Sequence, residues 1–563
     1  MTSGSNNALA WWQKTIVYEV YPKSFLDTAG GGTGTLEGVR RKLDYLADLR
    51  VGAIWLTPVY ASPMKDNGYD VADYRAIDPR FGSMEDMERL IVGARARGIR
   101  IVMDLVFNHT SDECPWFRES RAGRTGAKAD WYIWRDPRPD GSAPTNWRSI
   151  FGGPAWTFDE ARGQYYLHTF GSFQPDLNWE NPEVRQALFD VARFWVAKGV
   201  GGFRVDAITY VKKPALVDGV PDGPDGLADI HAATANTPGI LDFLREFRAA
   251  VRDAGGDVFM VGEANGVKAT ELSDWVGEHG VFDMLFEFSH LDVPKGGAAA
   301  WPQEYRWALP QLTKCLIDSQ KATATGGWCP VFFENHDQPR SVNQFLLGSP
   351  TDELRTQGAK MLATVLMTLR GTPFLYQGQE LGLGNVAWPT IKCYDDLSSH
   401  DQYRRALARG LTDAEALRCV HAFSRDNART PIPWDGSPNA GFTSGTPWLP
   451  VHDDFATCNV TAQDADPGSV LNWYRRLAAF RASHEVLLAG DFTPLIADAQ
   501  VFAFERRLGS ARAVVLANFT AEPATYDAAL TRGCAPLLST CGDTAPGTLR
   551  PYEAAVCLAR EGA

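Results

Sequence analysis

Eight short apolar runs, rich in β-branched and aromatic residues, recur along the chain and constrain its fold more than any other feature. Longer segments separate them, such as LEGVRRKLDYLADL and MEDMERLIVGARARG, whose apolar residues recur at three- and four-residue spacing. This alternation is typical of βα units around a parallel sheet, and eight units predict a (β/α)8 barrel of the α/β class. The predicted strands are residues 16–25, 53–58, 99–109, 202–208, 258–264, 282–288, 331–337 and 372–379.

Two regions depart from this alternation. The segment from Thr110 to Asn181 contains clusters of Trp, Gly, Pro and Asp and is too long for an ordinary βα loop, which predicts an inserted subdomain. After about Gly490, short runs such as VFAFERRL and ARAVVLANF predict an antiparallel β-domain. The predicted division is therefore the first part of the barrel, an insert, the second part of the barrel and a C-terminal β-sandwich domain, at 1–109, 110–181, 182–489 and 490–563.

Charge and composition exclude several kinds of partner. The formal net charge is −13 and no basic cluster occurs, which disfavours nucleic acid. No signal-peptide pattern and no apolar stretch of membrane-spanning length is found, so we expect no membrane partner. Nine cysteines without a CxxC pair are typical of a reducing compartment, and we expect a cytoplasmic protein that is a monomer or a weak homo-oligomer.

Charged residues occur where four of the predicted strands end, in the sequences DLVFNH, FRVDAI, VGEA and FFENHD. Strands of a parallel barrel are buried and mostly apolar, whereas their carboxyl ends form the face that carries active sites. A single carboxylate of this kind could simply pair with an arginine or cap a helix. Four coincidences favour a site in which ionisable groups meet.

Asp206 and Glu263 form the pair that glycoside hydrolysis requires, in which one carboxylate attacks the anomeric carbon and the other transfers the proton. Arg204 precedes Asp206 by two residues, so both side chains share one strand face, and we expect the guanidinium to orient and acidify Asp206. Glu263 lies beside small residues, where partial desolvation would keep it protonated until it donates its proton. Asp337 is expected to stay ionised beside the developing positive charge.

The four motifs resemble the ordered signatures of the α-amylase superfamily of glycoside hydrolases. Further stretches, including DNGYDVADYRAIDPRFGS, QPDLNWENPEVR and SRDNARTPIPWD, are similar to its α-glucosidase and oligo-1,6-glucosidase branch over almost the whole chain. The resemblance implies a (β/α)8 barrel with an insert after the third strand and a terminal β-domain. It also implies action on chain ends.

By the same resemblance Asp206 is the nucleophile, Glu263 the acid/base and Asp337 the stabiliser of the transition state. Tyr69 would stack on the terminal glucose, although core packing is the alternative for it, and packing is as plausible as binding for each histidine. Asp70 and Arg429 would grip the outer hydroxyls, whereas Arg425 and Gln174 could be structural. The complete set of predicted binding residues is Tyr69, Asp70, His109, Gln174, Arg204, Ala207, Asn265, His336, Arg425 and Arg429.

Two further expectations concern metals and linkage. Relatives often hold calcium or magnesium in an acidic loop after the first strand, but this chain has DTAGGGTGT, in which only Asp27 remains, so we expect no metal and no cofactor. The residue after the nucleophile is typically Val in enzymes of this branch that prefer α-1,6 bonds and a smaller residue in those accepting α-1,4 bonds. Ala207 therefore favours α-1,4 cleavage with α-1,6 cleavage possible.

The leading hypothesis is a retaining, exo-acting α-glucosidase whose partners are short oligosaccharides or other small glucosides. An α-glucosyltransferase is the alternative, because sequence barely separates transfer to a hydroxyl acceptor from transfer to water. A non-catalytic sugar-binding or transporter-associated homologue is a remote alternative, since such proteins usually lose the carboxylates retained here. Sucrose isomerisation is disfavoured because PRSVNQF replaces an arginine-rich stretch.

Overall fold

Eight parallel strands form the central sheet of the computed structural model, which describes residues 9–223, 225–277, 279–296, 300–348, 351–543 and 545–559. The sheet order is β6–β5–β4–β3–β2–β1–β8–β7, and β6 also contacts β7, so the barrel is nearly closed. The predicted α/β barrel is confirmed. Its strands are β1 Val17–Val20, β2 Ala53–Leu56, β3 Arg100–Val106, β4 Gly202–Asp206, β5 Phe259–Glu263, β6 Met284–Phe286, β7 Pro330–Val331 and β8 Thr372–Tyr376.

Three strands are much shorter than predicted, and one of them, β6, contains only Met284–Phe286 of the predicted residues 282–288. β1 ends at Val20 because Pro22 begins a helical turn, and a proline cannot donate to a sheet ladder. β7 ends at Val331 because a residue that follows it forms hydrogen bonds within the next turn instead of with a neighbouring strand. The carboxylate of Glu334 accepts hydrogen bonds from the amide of Ser341 (2.9 Å) and from Arg340 (3.0 Å). The polar end of the predicted seventh strand is therefore a turn that projects over the barrel rim.

Helices surround the barrel and pack their apolar faces on it. The helix between β3 and β4 begins after Asn181, whose side chain accepts from the amide of Glu183, and ends at Gly199 in the left-handed conformation (φ 92°). The helices of ten or more residues are Met84–Arg95, Pro182–Lys198, Ile240–Asp253, Leu309–Ala322, Asp352–Thr368, Leu397–Ala408, Asp413–Phe423 and Val470–Ser483. The shorter ones are Trp11–Lys14, Leu36–Arg41, Leu43–Asp48, Pro115–Arg121, Ile230–Thr234, Leu272–Trp275, Ser289–Asp292, Ser341–Gln344, Asp426–Arg429, Val460–Ala465 and Glu485–Ala489.

The segment after β3 contains its own small sheet. Three antiparallel strands occur there in the order Trp134–Arg135, Gln164–Leu167, Trp156–Asp159. A further strand, Trp147–Arg148, pairs in parallel with Ala228–Asp229 from the segment after β4. This pairing joins the insert to the loop that follows the predicted nucleophile.

The C-terminal region forms an antiparallel sheet, as predicted. Its strands are β9 Asp491–Ala497, β10 Val501–Leu508, β11 Ala511–Asn518, β12 Cys534–Ser539 and β13 Ala554–Ala559, in the order β9–β10–β11–β13–β12. A separate pair joins Ala524–Thr525 to Thr548–Leu549. The exact domain limits stay a prediction. Among the described residues, no helix combines the length and the apolar character needed to cross a membrane.

Candidate active site

One guanidinium joins three carboxylates from three adjacent barrel strands. Arg204 on β4 pairs in register with Asp104 on β3, so both side chains enter the barrel at the same level. Its Nη1 donates to Asp104 Oδ1 (2.8 Å) and Asp206 Oδ1 (2.7 Å), and its Nη2 lies 2.9 Å from Glu263 Oε2. The predicted nucleophile and the predicted acid/base thus share one cation. Asp104 opens the motif DLVFNH and is a site residue that the sequence analysis missed.

The backbone after the nucleophile also contacts Glu263. Ala207 has φ 48° and ψ 36°, a left-handed conformation that costs roughly 1–2 kcal/mol for a residue with a Cβ atom. Its amide donates to Glu263 Oε2 at 2.9 Å. The Glu263 carboxylate is therefore held between the Arg204 guanidinium and a backbone amide.

Burial dominates the electrostatics of Asp206. Burial raises the pKa of the Asp206 carboxyl well above its usual range; the positive charge of Arg204 opposes this rise, and the negative charges of Glu263 and Asp104 add to it. The predicted acidifying effect of Arg204 is present but does not outweigh burial. Asp206 therefore loses its proton at a higher pH than an exposed aspartate.

Asp337 has the opposite environment. Its Oδ1 accepts from Arg429 Nη2 at 2.7 Å and from Arg425 Nη1 at 3.3 Å, and about a third of the side chain (34%) is exposed to the cavity. Burial alone would raise the pKa of Asp337, but the surrounding positive charge outweighs burial and holds that pKa well below its usual range. Asp337 therefore loses its proton at a lower pH than an exposed aspartate.

A buried network lies between these two environments. The Tyr69 hydroxyl donates to Asp104 Oδ2 (3.0 Å) and lies 2.7 Å from His336 Nε2, while His336 Nδ1 lies 2.6 Å from Glu19 Oε1. The Tyr69 and His336 rings are stacked, with centroids 5.2 Å apart. Burial lowers the pKa of His336 to about 3, so its imidazole is neutral at neutral pH. This network fixes the orientation of Tyr69 at the cavity wall.

Eight of the predicted site residues line one cavity of about 270 Å³, close to the lower limit of roughly 300 Å³ for small-molecule sites. Four others lie behind its wall and bond to groups on it, and Asp70 does not reach it. The lining residues are Tyr69, His109, Asp206, Ala207, Glu263, Asn265, Asp337 and Arg425. Those behind the wall are Gln174, Arg204, His336 and Arg429.

Asp70 is the prediction that the geometry corrects. Its carboxylate is fully buried and accepts from the amides of Lys65 (2.9 Å) and Asp66 (3.0 Å) and from the Ser62 hydroxyl (3.1 Å). It shapes the loop after β2 and is not available to a sugar. Asp66, four residues earlier, lies on the cavity wall instead and accepts from Gln174 Nε2 at 2.9 Å.

The two arginines exchange their predicted positions. Arg429 donates to the carbonyl of His336 (3.0 Å) and to Asp337 and lies behind the wall, whereas Arg425, the weaker candidate, reaches the cavity. Arg425 Nε donates to Asp396 Oδ1 at 2.7 Å, and its Nη2 lies 3.5 Å from Asp66 Oδ1. Arg425 thereby joins the loop after β2 to the segment before helix Leu397–Ala408 at the cavity wall.

The loop after β1 does not fit a hard cation. Both oxygens of Asp27 already accept hydrogen bonds, from the amides of Ala29 (2.8 Å), Gly30 (3.0 Å) and Gly32 (2.7 Å) and from the Thr443 hydroxyl (2.5 Å). Calcium and magnesium require several oxygen ligands, whereas these partners are donors. In the described part of the chain no group of three or more His, Cys, Asp or Glu side chains is arranged to hold a metal ion.

Known proteins are similar to this chain in sequence and fold over almost its full length. Residues 19–490 match the model of the α-amylase catalytic domain. The probable oligo-1,6-glucosidase 3 of Bacillus subtilis is 42% identical over 525 residues, covering 92% of each chain, and the trehalose-6-phosphate hydrolase of the same organism is 40% identical, covering 97% of this chain and 98% of its own. The structure of isomaltulose synthase from Erwinia rhapontici NX5 superposes with a TM-score of 0.93 at 36% identity, covering 99% of this chain and 100% of its own.

The family match covers most of the chain, and the relatives are named glucosidases and related enzymes at about 40% identity. The three carboxylates expected of such enzymes converge on one cavity at the carboxyl ends of the barrel strands. The chain therefore belongs to the α-amylase family and is a glycoside hydrolase of its α-glucosidase and oligo-1,6-glucosidase branch.

Proposed function

We propose that this enzyme is a retaining, exo-acting α-glucosidase that releases glucose from the non-reducing ends of short α-glucosides. The observation that carries the proposal is the Arg204 guanidinium, which contacts Asp206 at 2.7 Å and Glu263 at 2.9 Å in one cavity. A retaining mechanism requires the two carboxyl groups to be about 5–5.5 Å apart, and a shared guanidinium keeps them close together.

The reaction has two displacements. The Asp206 carboxylate attacks the anomeric carbon while the bond to the leaving oxygen breaks, and Glu263 gives its proton to that oxygen. Water then attacks the same carbon of the glucosyl ester, Glu263 takes a proton from this water, and Asp206 leaves as a carboxylate. Asp337 remains negative throughout, which stabilises the positive charge that develops on the sugar ring.

We propose that cleavage occurs at chain ends because the contacts of Arg425 block one end of the cavity. Arg425 joins Asp66 to Asp396 across this end, and the three side chains are buried or nearly so. A polysaccharide could not continue past such a barrier. The cavity therefore accepts one terminal glucose beyond the scissile bond.

The proposed linkage preference rests on Ala207. This residue lines the cavity beside the nucleophile, and we propose that its small side chain favours α-1,4 bonds while still admitting α-1,6 bonds. One methyl-scale difference in a pocket changes discrimination by about 10- to 200-fold. Replacement of Ala207 by Val should shift the ratio of isomaltose to maltose hydrolysis upward within that range, and an unchanged ratio would refute this assignment.

Anomer-resolved NMR of the first turnovers tests the mechanism. We expect α-glucose as the initial product from an aryl α-glucoside, whose leaving group contributes no glucose of its own, because two inversions restore the starting configuration. A mechanism-based fluorinated α-glucosyl fluoride should also leave a glucosyl adduct on the peptide that contains Asp206, visible by mass spectrometry. Initial β-glucose would exclude double displacement. Transfer products that grow with acceptor concentration would instead identify a glucosyltransferase.

A further inference from the structure

The segment after β6 forms the part of the cavity wall next to the proton donor. β6 is the neighbour of β5, which ends at Glu263, and two short helical segments, Ser289–Asp292 and Val293–Lys295, follow it. Asp292 and Lys295 from these segments both line the cavity. Because Glu263 protonates the leaving oxygen, this wall lies on the side of the leaving group.

The charge of the cavity is predominantly negative. Among the described residues that line it, five are acidic and two are basic, Lys295 and Arg425. Arg425 is bound to three carboxylates, those of Asp66, Asp337 and Asp396, so its charge is offset. The Lys295 ammonium lies 3.3 Å from Asp292 Oδ1, so its charge is offset by its own neighbour. Residues 297–299, next in the chain, are Gly, Ala and Ala and supply no cation.

A phosphate group on the leaving sugar would find no adequate partner on this wall. A phosphomonoester carries about −1.5 to −2 charge at neutral pH and is bound in proteins by uncompensated arginine or lysine groups. On this wall it would meet the exposed Asp292 carboxylate and a lysine that is already paired. Like charges brought together in this way reduce affinity and provide specificity against the charged ligand.

We infer that this enzyme accepts uncharged leaving groups and rejects α-glucosides whose leaving sugar carries a phosphate, and that Asp292 is a determinant of this rejection. The inference rests on the proposed glucosidase function. The inference also distinguishes this chain from a relative, the trehalose-6-phosphate hydrolase of Bacillus subtilis, which is 40% identical. The family match alone does not separate an enzyme of that name from the glucosidases.

Matched substrate pairs test the inference. The value of kcat/KM is measured for maltose and for maltose phosphorylated at O6 of the reducing glucose, and in parallel for trehalose and trehalose 6-phosphate, at low and at high ionic strength. We expect wild-type enzyme to prefer the neutral member by roughly 100-fold at low salt. Asp292→Asn should reduce this preference roughly fivefold, the effect of one exposed charge, and Asp292→Lys should reduce it further. Salt should weaken the preference.

Asp242→Asn is the matched control. Asp242 forms the same kind of pair, three residues from Arg245 on the exposed face of helix Ile240–Asp253, but lies outside the cavity. It should leave the substrate ratio unchanged. The ratio is independent of the fraction of folded enzyme, so a poorly folding variant still gives a result.

Equal or better hydrolysis of the phosphorylated member would overturn the inference while the glucosidase function stands. An unaltered ratio in both Asp292 variants would overturn the role of Asp292. If the enzyme hydrolysed none of the four sugars, the proposed function itself would be refuted.

Discussion

The two halves of the active site hold their carboxylates by opposite balances of charge. In the half formed by β3, β4 and β5, one arginine serves three carboxylates, and burial raises the pKa of Asp206 and raises that of Asp104 to about 6. In the half that follows β7, Asp337 contacts two arginines, of which Arg425 also binds Asp396 and lies near Asp66, and the pKa of Asp337 is far below its usual range. Burial disfavours the anionic form of Asp206 and of Asp337, and the charge next to each aspartate decides whether burial prevails.

This difference matches the work proposed for each half. Asp206 alternates between a carboxylate and a neutral ester, and its buried site, where two further carboxylates share its arginine, does not hold it permanently as an anion. Asp337 has to stay negative during the reaction, and the positive charge around it lowers its pKa. The same principle explains how one cavity keeps chemically identical side chains in different roles.

The largest expected effect comes from removing the members of the first half. Asp206→Ala and Glu263→Ala should each lower kcat on maltose by roughly 10⁴-fold or more, as for other residues that act as a unit. Added azide should then separate their roles. It attacks the anomeric carbon of the substrate directly in the Asp206 variant and gives β-glucosyl azide, whereas in the Glu263 variant it attacks the glucosyl ester and gives α-glucosyl azide.

Product anomers by NMR provide the measurement, with an activated aryl α-glucoside as substrate because its leaving group needs no proton. Identical anomers from both variants would contradict the assignment of nucleophile and acid/base. A wild-type level of activity in Asp206→Ala would show that the two halves do not differ as argued.

Weakening the second half should cost less. Arg425→Gln removes one of the two cations on Asp337, and loss of a hydrogen bond to a charged group typically corresponds to about 10- to 100-fold in kcat/KM. The pKa of Asp337 should rise, but Asp206, whose pKa is raised by burial, still sets the acid limb of kcat/KM, so this limb should stay in place while kcat/KM falls. Arg425→Lys keeps the charge and should lower kcat/KM less. An acid limb that moves upward in Arg425→Gln would show that Asp337 takes up its proton at a higher pH than Asp206 once one cation is removed.

The carboxylates of both halves could be predicted from sequence for a simple physical reason. Asp206, Glu263 and Asp337 follow apolar runs of buried strands, where a charge needs an explanation. Asp66 could not be distinguished from Asp70 in this way, because the turn between them contains residues with positive φ, Asn67 at 51° and Gly68 at 106°, which reverse the chain. Only the path of the turn decides which carboxylate faces the cavity.

Charges from loops were also beyond sequence reasoning. Asp292 and Lys295 follow a strand of three residues, and Asp396 comes from a segment between helices, so none is marked by an apolar run. Their positions depend on long-range packing of the loops over the rim. The barrel itself was predictable because eight alternations of strand and helix pattern support one another. The length of β7 was overestimated because the polar residues at its predicted end form hydrogen bonds with nearby residues and leave the sheet.

A smaller effect is expected from Asp104, which adds negative charge to the first half. Asp104→Asn removes a charge that raises the pKa of Asp206, so the ionised form of Asp206 becomes easier to reach and that pKa should fall. Because Asp206 must be ionised to attack, the acid limb of kcat/KM should move downward, by about one pH unit. Asp242→Asn, on the exposed face of helix Ile240–Asp253, is the control for charge in general. An upward movement would mean that Asp104 acts mainly by holding Arg204 in place.

The smallest effect should come from the residue that supports the boundary between the halves. Glu19 Oε1 lies 2.6 Å from His336 Nδ1, and burial raises the pKa of Glu19 well above its usual range, so its negative charge is poorly stabilised there. Glu19→Gln retains a side-chain oxygen that can accept from the imidazole, and we expect kcat/KM to change by less than about threefold. Glu19→Ala removes the acceptor and leaves a buried His336 nitrogen without a partner, which should cost roughly 10-fold or more because an unsatisfied buried group costs about 1–3 kcal/mol. The pH profile separates the explanations: if the charge of Glu19 governed either half, Glu19→Gln would move the acid limb as far as Asp104→Asn does, whereas a hydrogen-bonding role leaves that limb in place.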